Sequence, residues 1–176
     1  MNVKMSRAIF ASKRRTWQTR AFLRALTFRL FRFLTIRQAR QEETMSQLPK
    51  FTMVDAAPAP VGPFSHAAEA DGWVFLTGQI PTDPNDDHAP LSEGVAAQTR
   101  RVMDNLIIVL NGVGLRLDNV VSVRIFLTEF KRDYDAMNAV YRSYFLPKPL
   151  PARTCVGVTG LVRDAFVEID FVAKRP

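Results

Sequence analysis

Two periodicities of apolar residues divide residues 50–176 into helices and strands. Apolar side chains recur every three or four positions in two stretches, which predicts an amphipathic helix between Ser92 and Gly112 and a second over 133–145. Ser92 is expected to cap the first helix, and Gly112 and Gly114 are expected to end it. Runs rich in β-branched and aromatic residues predict five strands. These strands are 51–54, 72–79, 119–128, 153–159 and 165–173.

The predicted order of elements, β, β, α, β, α, β, β, indicates an α+β domain. Two helices are too few to cover both faces of one sheet, so we expect them on one face, with the other face bare. The bare face is predicted to mix apolar and charged side chains. These residues are Phe126, Phe166, Val172, Arg124, Glu168 and Asp170. Such a mixture is typical of burial against another subunit, and we therefore predict a cyclic oligomer.

The composition fits one globular domain and argues against several kinds of site. Hydrophobic residues make up 47% of the chain and charged residues 23%, and the sequence has no apolar run long enough for a membrane span. Cys155 is the only cysteine, which excludes an intrachain disulfide and a cysteine-based zinc site. The chain has two histidines, too few for a histidine-rich metal site. The acidic loop 81–91 has no EF-hand spacing and is interpreted as solvated. We expect no metal and no cofactor.

The positive charge of the chain is confined to its N-terminal segment. The formal net charge is +7, which by itself would favour a nucleic-acid or membrane partner. Residues 1–44 contain eleven Lys and Arg against two Glu, a net charge of +9, and the rest of the chain has a net charge of −2. The domain over 45–176 is therefore mildly acidic. We expect it to have no nucleic-acid partner and no stable membrane association.

The basic extension over 1–44 has three interpretations. It is rich in arginine and has no acidic residue before Glu42, as in a cleaved organellar presequence. Its apolar residues lie at roughly helical spacing, which is also typical of a helix bound to anionic lipid or nucleic acid. We favour a mispredicted start or a dispensable extension, because an ordinary cytosolic N terminus begins at Met45 and the composition changes there abruptly. The domain is then expected in the cytoplasm.

Arg153 and Glu168 are the residues best suited to chemistry. Arg153 begins a predicted strand after a loop with three prolines, which fixes its backbone for presenting a two-pronged donor to a carboxylate. Glu168 is predicted to lie on the neighbouring strand of the sheet, where its side chain could face the same way as that of Arg153. From the residues alone, a structural Arg–Glu pair explains this arrangement as well as a ligand clamp does.

Several short motifs recur in a fixed order along residues 51–173. The most specific are Pro151-Ala152-Arg153-Thr154, Thr77-Gly78-Gln79-Ile80-Pro81 and Val167-Glu168-Ile169. The others are Ala59–Ala67, Asp83-Pro84, Gln98-Thr99, Asn105-Leu106, Asn138 and Val140-Tyr141. Together they resemble the pattern of the reactive intermediate deaminase family, also called Rid or YjgF. The resemblance covers essentially the whole domain.

The resemblance implies a chorismate-mutase-like α+β domain, with two helices on one face of a mixed sheet. It implies a trimer with a ligand cleft at each subunit interface. It also implies hydrolysis of small carboxylate-bearing enamines and imines, such as 2-aminoacrylate, to 2-oxo acids and ammonia without a cofactor. Arg153 then corresponds to the carboxylate-binding arginine and Glu168 to the acid that positions or activates water. The substrate-binding positions correspond to Phe64, Thr77, Gly78 and Cys155.

Three positions depart from the family pattern. Phe64 replaces the usual tyrosine and so removes a hydroxyl, and Thr77 replaces a serine and adds a methyl group. Both changes predict a drier and smaller pocket. His66 replaces a common glutamine, and we interpret it as a packing or hydrogen-bonding residue rather than a general acid.

Two other functions stay open from the sequence. One is a non-catalytic module that binds small ligands or proteins, including the holdase-like activity ascribed to some relatives. The other is the ribonuclease activity ascribed to some relatives, which the acidic domain disfavours. Tyr134, Tyr141 and Tyr144 lie at core spacing and are interpreted as packing residues, not as a stacking platform for RNA. Retention of both Arg153 and Glu168 favours a deaminase in metabolite damage control.

Overall fold

A computed structural model describes residues 48–176, which form six strands and two α-helices. The extension 1–44 lies outside the described residues. The strands are β1 (Lys50–Thr52), β2 (Ala67–Ala70), β3 (Trp73–Gln79), β4 (Val120–Leu127), β5 (Ala152–Gly157) and β6 (Val167–Lys174). The helices are α1 (Val95–Gly112) and α2 (Phe130–Phe145), and short 3-10 turns cover Leu117–Asn119 and Val162–Asp164.

The strands form one mixed sheet in the order β1-β2-β3-β6-β4-β5. All neighbouring pairs are antiparallel except β4 and β5, which are parallel and joined through α2. β5 and β6 follow one another in the chain but are not neighbours, because β4 lies between them. The prediction that Glu168 lies on the strand next to Arg153 is therefore wrong.

The hydrophobic core lies between the sheet and the two helices. The sheet contributes alternate residues such as Val123, Ile125 and Phe171, and α1 contributes Met103 and Leu106, all of them fully buried. This alternation confirms an α+β domain with both helices on one face, which we call the helix face. The opposite face, the open face, carries exposed aromatic side chains. These are Phe51, Trp73 and Phe75.

β2 is the strand that the sequence analysis missed. Its four residues, Ala67–Ala70, include three alanines and one glutamate, which are poor strand formers. It pairs with β3 through a two-residue turn at Asp71 and Gly72, both with positive φ (50° and 72°). An Asp-Gly pair is a strong signal for a tight hairpin, so the turn could have been used to find this strand.

The predicted cap at Ser92 is also wrong. Helix α1 begins at Val95, with Gly94 at the capping position and no side-chain cap. Gly94 has a φ of 75°, which a residue with a side chain rarely adopts. The backbone carbonyl of Ser92 instead accepts a hydrogen bond from the Gln98 side chain at 3.0 Å.

The described residues contain neither a candidate membrane-spanning helix nor a candidate metal-binding cluster. Within residues 48–176, no helix is both long and apolar enough to cross a membrane. The same part of the chain has no cluster of three or more His, Cys, Asp or Glu side chains arranged to hold a metal ion.

His66 is a buried structural residue, as predicted. Its side chain is 2% exposed and joins two loop segments that precede the hairpin. Nδ1 accepts a hydrogen bond from the backbone N–H of Val54 at 2.9 Å, and Nε2 donates to the carbonyl of Pro58 at 3.0 Å. This pairing requires a neutral imidazole with its proton on Nε2.

We expect His66→Ala to lower the free energy of unfolding by about 2–4 kcal/mol, because it leaves a buried N–H and a buried C=O without partners. Urea unfolding at one fixed protein concentration measures the change. His88→Ala is the matched control, since the His88 side chain is 94% exposed, and it should change the free energy by less than about 0.5 kcal/mol. Equal midpoints for the two variants would contradict the structural role of His66.

Candidate functional site

Arg153 faces helix α2 from the edge strand β5. Its backbone neighbour in the sheet is Val123, which is fully buried on the helix face. Paired residues of neighbouring strands point to the same side, so Arg153 also points toward the helices. Its guanidinium group donates to Asn138 Oδ1 at 2.5 Å and to the Tyr134 hydroxyl at 3.4 Å. The three-proline loop and two polar side chains of α2 thus fix this arginine.

An aromatic ring supports the same guanidinium group. The central carbon of the Arg153 guanidinium lies 5.0 Å from the centroid of the Tyr141 ring, within cation–π range. Burial raises the pKa of Tyr141 to about 12, although the charge of Arg153 opposes this. The Tyr141 hydroxyl is buried without a hydrogen-bond partner among the described residues. Tyr141 therefore acts as a neutral support under the charged group.

The groove around Arg153 is suited to an external carboxylate. It is lined by Tyr134, Asp135, Asn138, Tyr141, Arg142, Leu150 and Pro151. Within residues 48–176, no carboxylate forms a salt bridge with Arg153, whereas five other Lys and Arg side chains have one. A fixed two-pronged donor with only neutral partners retains its charge for a ligand.

Cys155 lies two residues further along β5, also on the helix face. It pairs with the buried Ile125, and its side chain packs half-buried against the core. Burial raises the pKa of the thiol above its usual range, and the nearby Arg153 opposes this only in part. A thiol of this kind is a poor nucleophile near neutral pH. Cys155 is thus a packing residue whose backbone lies on the exposed edge of the sheet.

Glu168 lies on the other side of the sheet. It pairs with Phe126 in β4, three residues beyond the partner of Arg153, and an odd separation along a strand reverses the side. Glu168 therefore projects from the open face. Burial in this position raises the pKa of Glu168 above its usual range, and the negative charge of Asp170 adds to the shift. The prediction that Glu168 and Arg153 face the same way within one chain is wrong.

The predicted positions Thr77 and Gly78 lie beside Glu168. The three residues line one concavity of the open face with Ser65, Phe51, Ala68, Phe75, Leu76, Arg124, Phe126 and Asp170. The Thr77 hydroxyl donates to the carbonyl of Ser65 at 2.7 Å, so it is already engaged. A Cβ atom at Gly78 would lie 2.0 Å from Glu168 Oε1, so the Glu168 carboxylate can occupy its position only because residue 78 has no side chain.

Phe64 lies beside Gly78 in a crevice that is much smaller than the Glu168 concavity. It is 38% exposed and lines a crevice of about 20 Å³ with His66 and Gly78. Such a crevice holds about one water molecule. The structure thus brings Thr77, Gly78 and Glu168 to one concavity of the open face, with Phe64 in a separate crevice that shares Gly78, and it places Arg153 and Cys155 on the helix face.

The residues that hold Arg153 are not evident from the sequence. Core spacing predicts packing roles for Tyr134 and Tyr141, and Asn138 stands out only as part of a motif. Asn138 lies four residues after Tyr134 and three before Tyr141, so all three share one side of α2. That spacing was visible in the sequence, but the strand facing this side of α2 was not.

A mixed sheet with two helices on one face and a bare opposite face defines an α+β domain, which carries a fixed arginine on one face and a half-buried glutamate on the other. The family model described as endoribonuclease L-PSP matches residues 54–175. The chain belongs to this family, which is the Rid/YjgF family.

Three relatives illustrate the similarity. The chain is 41% identical to a RutC family protein of Synechocystis over 127 residues, which cover 72% of this chain and 97% of the relative. It is 31% identical to 2-iminobutanoate/2-iminopropanoate deaminase of Escherichia coli, over 73% of this chain and 99% of the relative. Among solved structures, E. coli TdcF with bound serine matches with a TM-score of 0.66 and 29% identity, over 72% of this chain and 99% of that one.

We expect Gly78→Ala to displace the Glu168 carboxylate by about 1 Å or more, because non-bonded atoms cannot approach as closely as the added methyl group would require. A crystal structure of the variant measures the displacement. Gly160→Ala is the control, because a Cβ atom there meets nothing within 4 Å. An unmoved Glu168 carboxylate in the Gly78 variant would contradict this packing.

Proposed function

We propose that this protein is a cofactor-free deaminase that hydrolyses small 2-imino acids, and the enamines in equilibrium with them, to 2-oxo acids and ammonia. The observation that carries the proposal is Arg153, a guanidinium group fixed by Asn138 and Tyr141 and free of a carboxylate among the described residues. A planar two-pronged donor in this state fits the carboxylate that every 2-imino acid carries.

The proposed site is completed by a second copy of the chain, in a trimer. Arg153 and Glu168 lie on opposite faces of the sheet, so one chain cannot bring both to one small ligand. β5 is an edge strand, and the open face carries exposed aromatics that a neighbouring copy would bury. In this arrangement the edge of one copy, with Arg153 and the backbone of Cys155, meets the Glu168 concavity of the next.

The chemistry needs little beyond these groups. An enamine gains a proton at carbon and loses one from nitrogen to give an imine, whose carbon is already electrophilic. Glu168 accepts a proton from a water molecule as the water oxygen bonds to the imine carbon, and it returns this proton to the nitrogen to give a carbinolamine. The hydroxyl proton of the carbinolamine is then transferred to the nitrogen as the C–N bond breaks and the C=O bond forms, which releases ammonia and a 2-oxo acid. Arg153 holds the carboxylate throughout, which fixes the imine carbon in front of the water.

Two relatives support the substrate class. The E. coli deaminase is named for 2-iminobutanoate and 2-iminopropanoate, and TdcF is described with bound serine, an amino acid with a carboxylate. The family description also names an endoribonuclease. The acidic charge of residues 45–176 and the small scale of the Arg153 groove favour the imino acid over RNA.

Arg153→Ala should lower kcat/KM by about 10- to 150-fold, the equivalent of losing a charged two-pronged contact worth about 1.5–3 kcal/mol. The substrate is generated in place by an amino-acid oxidase or a lyase, and its decay is followed against the spontaneous rate. Arg142→Ala is the comparison, because Arg142 lines the same groove but is exposed and has no side-chain hydrogen bond among the described residues.

A wild-type decay equal to the spontaneous rate across alanine-, serine- and leucine-derived imines would refute the deaminase. Equal losses in the Arg153 and Arg142 variants would show that the carboxylate is not held by Arg153. Tight binding of amino or oxo acids without turnover would instead support a non-catalytic ligand-binding module.

A mixture of two impaired variants should regain activity. When Arg153→Ala and Glu168→Gln chains are refolded together, each subunit interface of a cyclic assembly has about a one-in-four chance of combining an intact Arg153 with an intact Glu168. We therefore expect about a quarter of the wild-type rate. Native mass spectrometry on differently tagged chains verifies that mixed assemblies form.

The control mixture combines Arg153→Ala with the double variant Arg153→Ala/Glu168→Gln. No interface in it contains an intact Arg153, and its activity should not exceed that of the Arg153→Ala variant alone. If mixed assemblies of the two single variants form but show no recovery, the site is not shared between copies.

A further inference from the structure

An ion pair lies next to Glu168 in the open-face concavity. Arg124 on β4 and Asp170 on β6 are cross-strand partners. Their side chains form two short contacts, Nε to Oδ1 at 3.0 Å and Nη2 to Oδ2 at 2.9 Å. The Asp170 side chain is 8% exposed and that of Arg124 is 64% exposed. Asp170 is therefore held inside the concavity, while Arg124 extends toward solvent at the opening of the concavity.

Asp170 and Glu168 are placed to influence one another. They are two residues apart on β6, so both side chains project from the open face, about 7 Å apart along the strand. Both line the same concavity. A fixed negative charge at this distance disfavours ionisation of the neighbouring carboxyl group. The bidentate contact with Arg124 places a positive charge against Asp170 and so offsets part of the field of Asp170 at Glu168.

We propose that the Arg124–Asp170 ion pair tunes the protonation of Glu168 and so sets the pH range in which Glu168 can act as a base. Asp170 favours the protonated form of Glu168, and Arg124 limits this effect. The two residues are positioning residues that act through Glu168. The inference rests on the proposed function for its catalytic consequence, but the effect on Glu168 itself does not depend on turnover.

The other groups around Glu168 do not provide this control. β3 contributes Thr77 and Gly78, and β1 and β2 contribute Phe51 and Ala68, none of which ionises. Lys50 of β1 and Glu69 of β2 are backbone partners at the edge of the sheet. Their side chains lie on the helix face, because Glu69 is also the backbone partner of the buried Val74. Within residues 48–176, Arg124 and Asp170 are thus the ionisable side chains of the concavity besides Glu168. In the proposed assembly, Arg153 of a second copy also faces Glu168.

Substitutions of Asp170 and of Arg124 are expected to shift the pKa of Glu168 in opposite directions. Burial and Asp170 already raise the pKa of Glu168, and a raised pKa moves the acid limb of the rate profile to higher pH, because the base must be ionised. Asp170→Asn removes the negative charge and leaves the positive one, so the pKa of Glu168 and the acid limb should move to lower pH. Arg124→Gln leaves Asp170 uncompensated and should move both to higher pH.

The test is a carboxyl carbon NMR titration of Glu168 in the full-length protein, assigned with Glu168→Gln, alongside the pH profile of kcat/KM. We expect shifts on the order of half a pH unit in opposite directions for Asp170→Asn and Arg124→Gln. Arg124→Lys keeps the charge and should stay close to wild type. Glu69→Gln breaks an ion pair with Arg175 on the helix face and should leave Glu168 unchanged.

Unchanged titration of Glu168 in both variants, or shifts in the same direction, would overturn the proposal. If Arg124→Gln does not fold, Asp170→Asn decides, and it must lower the pKa of Glu168. If wild-type protein has no deaminase activity, the proposed function fails, while the NMR titration still decides whether the ion pair tunes Glu168. A parallel loss of activity with no displacement of the pH profile would indicate a structural role and would also refute the inference.

Discussion

Strand β4 lies between β5 and β6, and the alternation of side chains along it separates Arg153 from Glu168. The partners of these residues in β4 are Val123 and Phe126, and the odd interval between them places one on the helix face and the other on the open face. A shift of one residue in either register would move every core residue of that strand to the wrong side, so the core itself fixes this separation. The division of the proposed site into two halves therefore follows from the same strand pairing that buries Ile125 and Ile169.

The helices cover only one face of the sheet, and the other face leaves large aromatic side chains exposed. Phe51 and Phe75 are 67% and 50% exposed next to the concavity of Glu168. In the proposed trimer, burial of this aromatic surface would provide the principal driving force for association. In the proposed trimer, the free energy that holds the subunits together and the geometry that completes the site come from the same residues. Assembly would also remove water from Glu168 and so strengthen the interaction with its charged neighbours.

The elements with a local signal were predictable from the sequence, and their arrangement was not. Both helices and five strands follow from periodicity, and the motifs identify Arg153 and Glu168. β2 was missed because its alanines carry no strand signal and the pairing with β3 supplies its stability. The insertion of β4 between β5 and β6 depends on contacts between residues far apart in the chain, which no local pattern records. The support of Arg153 by Asn138 and Tyr141 was also not predictable from a local pattern, since it depends on α2 lying over β5.

The two arginines of the site region show how environment assigns different roles to one side chain. Arg124 has its charge matched by Asp170, at contacts of 2.9 and 3.0 Å. A second carboxylate would have to compete with Asp170 for the same two-pronged donor, so Arg124 is suited to adjusting a field and not to holding a ligand. Arg153 is fixed by an amide oxygen and an aromatic ring, which orient the guanidinium group without neutralising it. Because these partners are neutral, the full charge of Arg153 remains available to a ligand. The side chain is also ordered before a substrate binds, so binding loses less conformational entropy. The difference between a matched and an unmatched arginine, more than the presence of either residue, supports the proposal that the Arg153 groove binds a carboxylate.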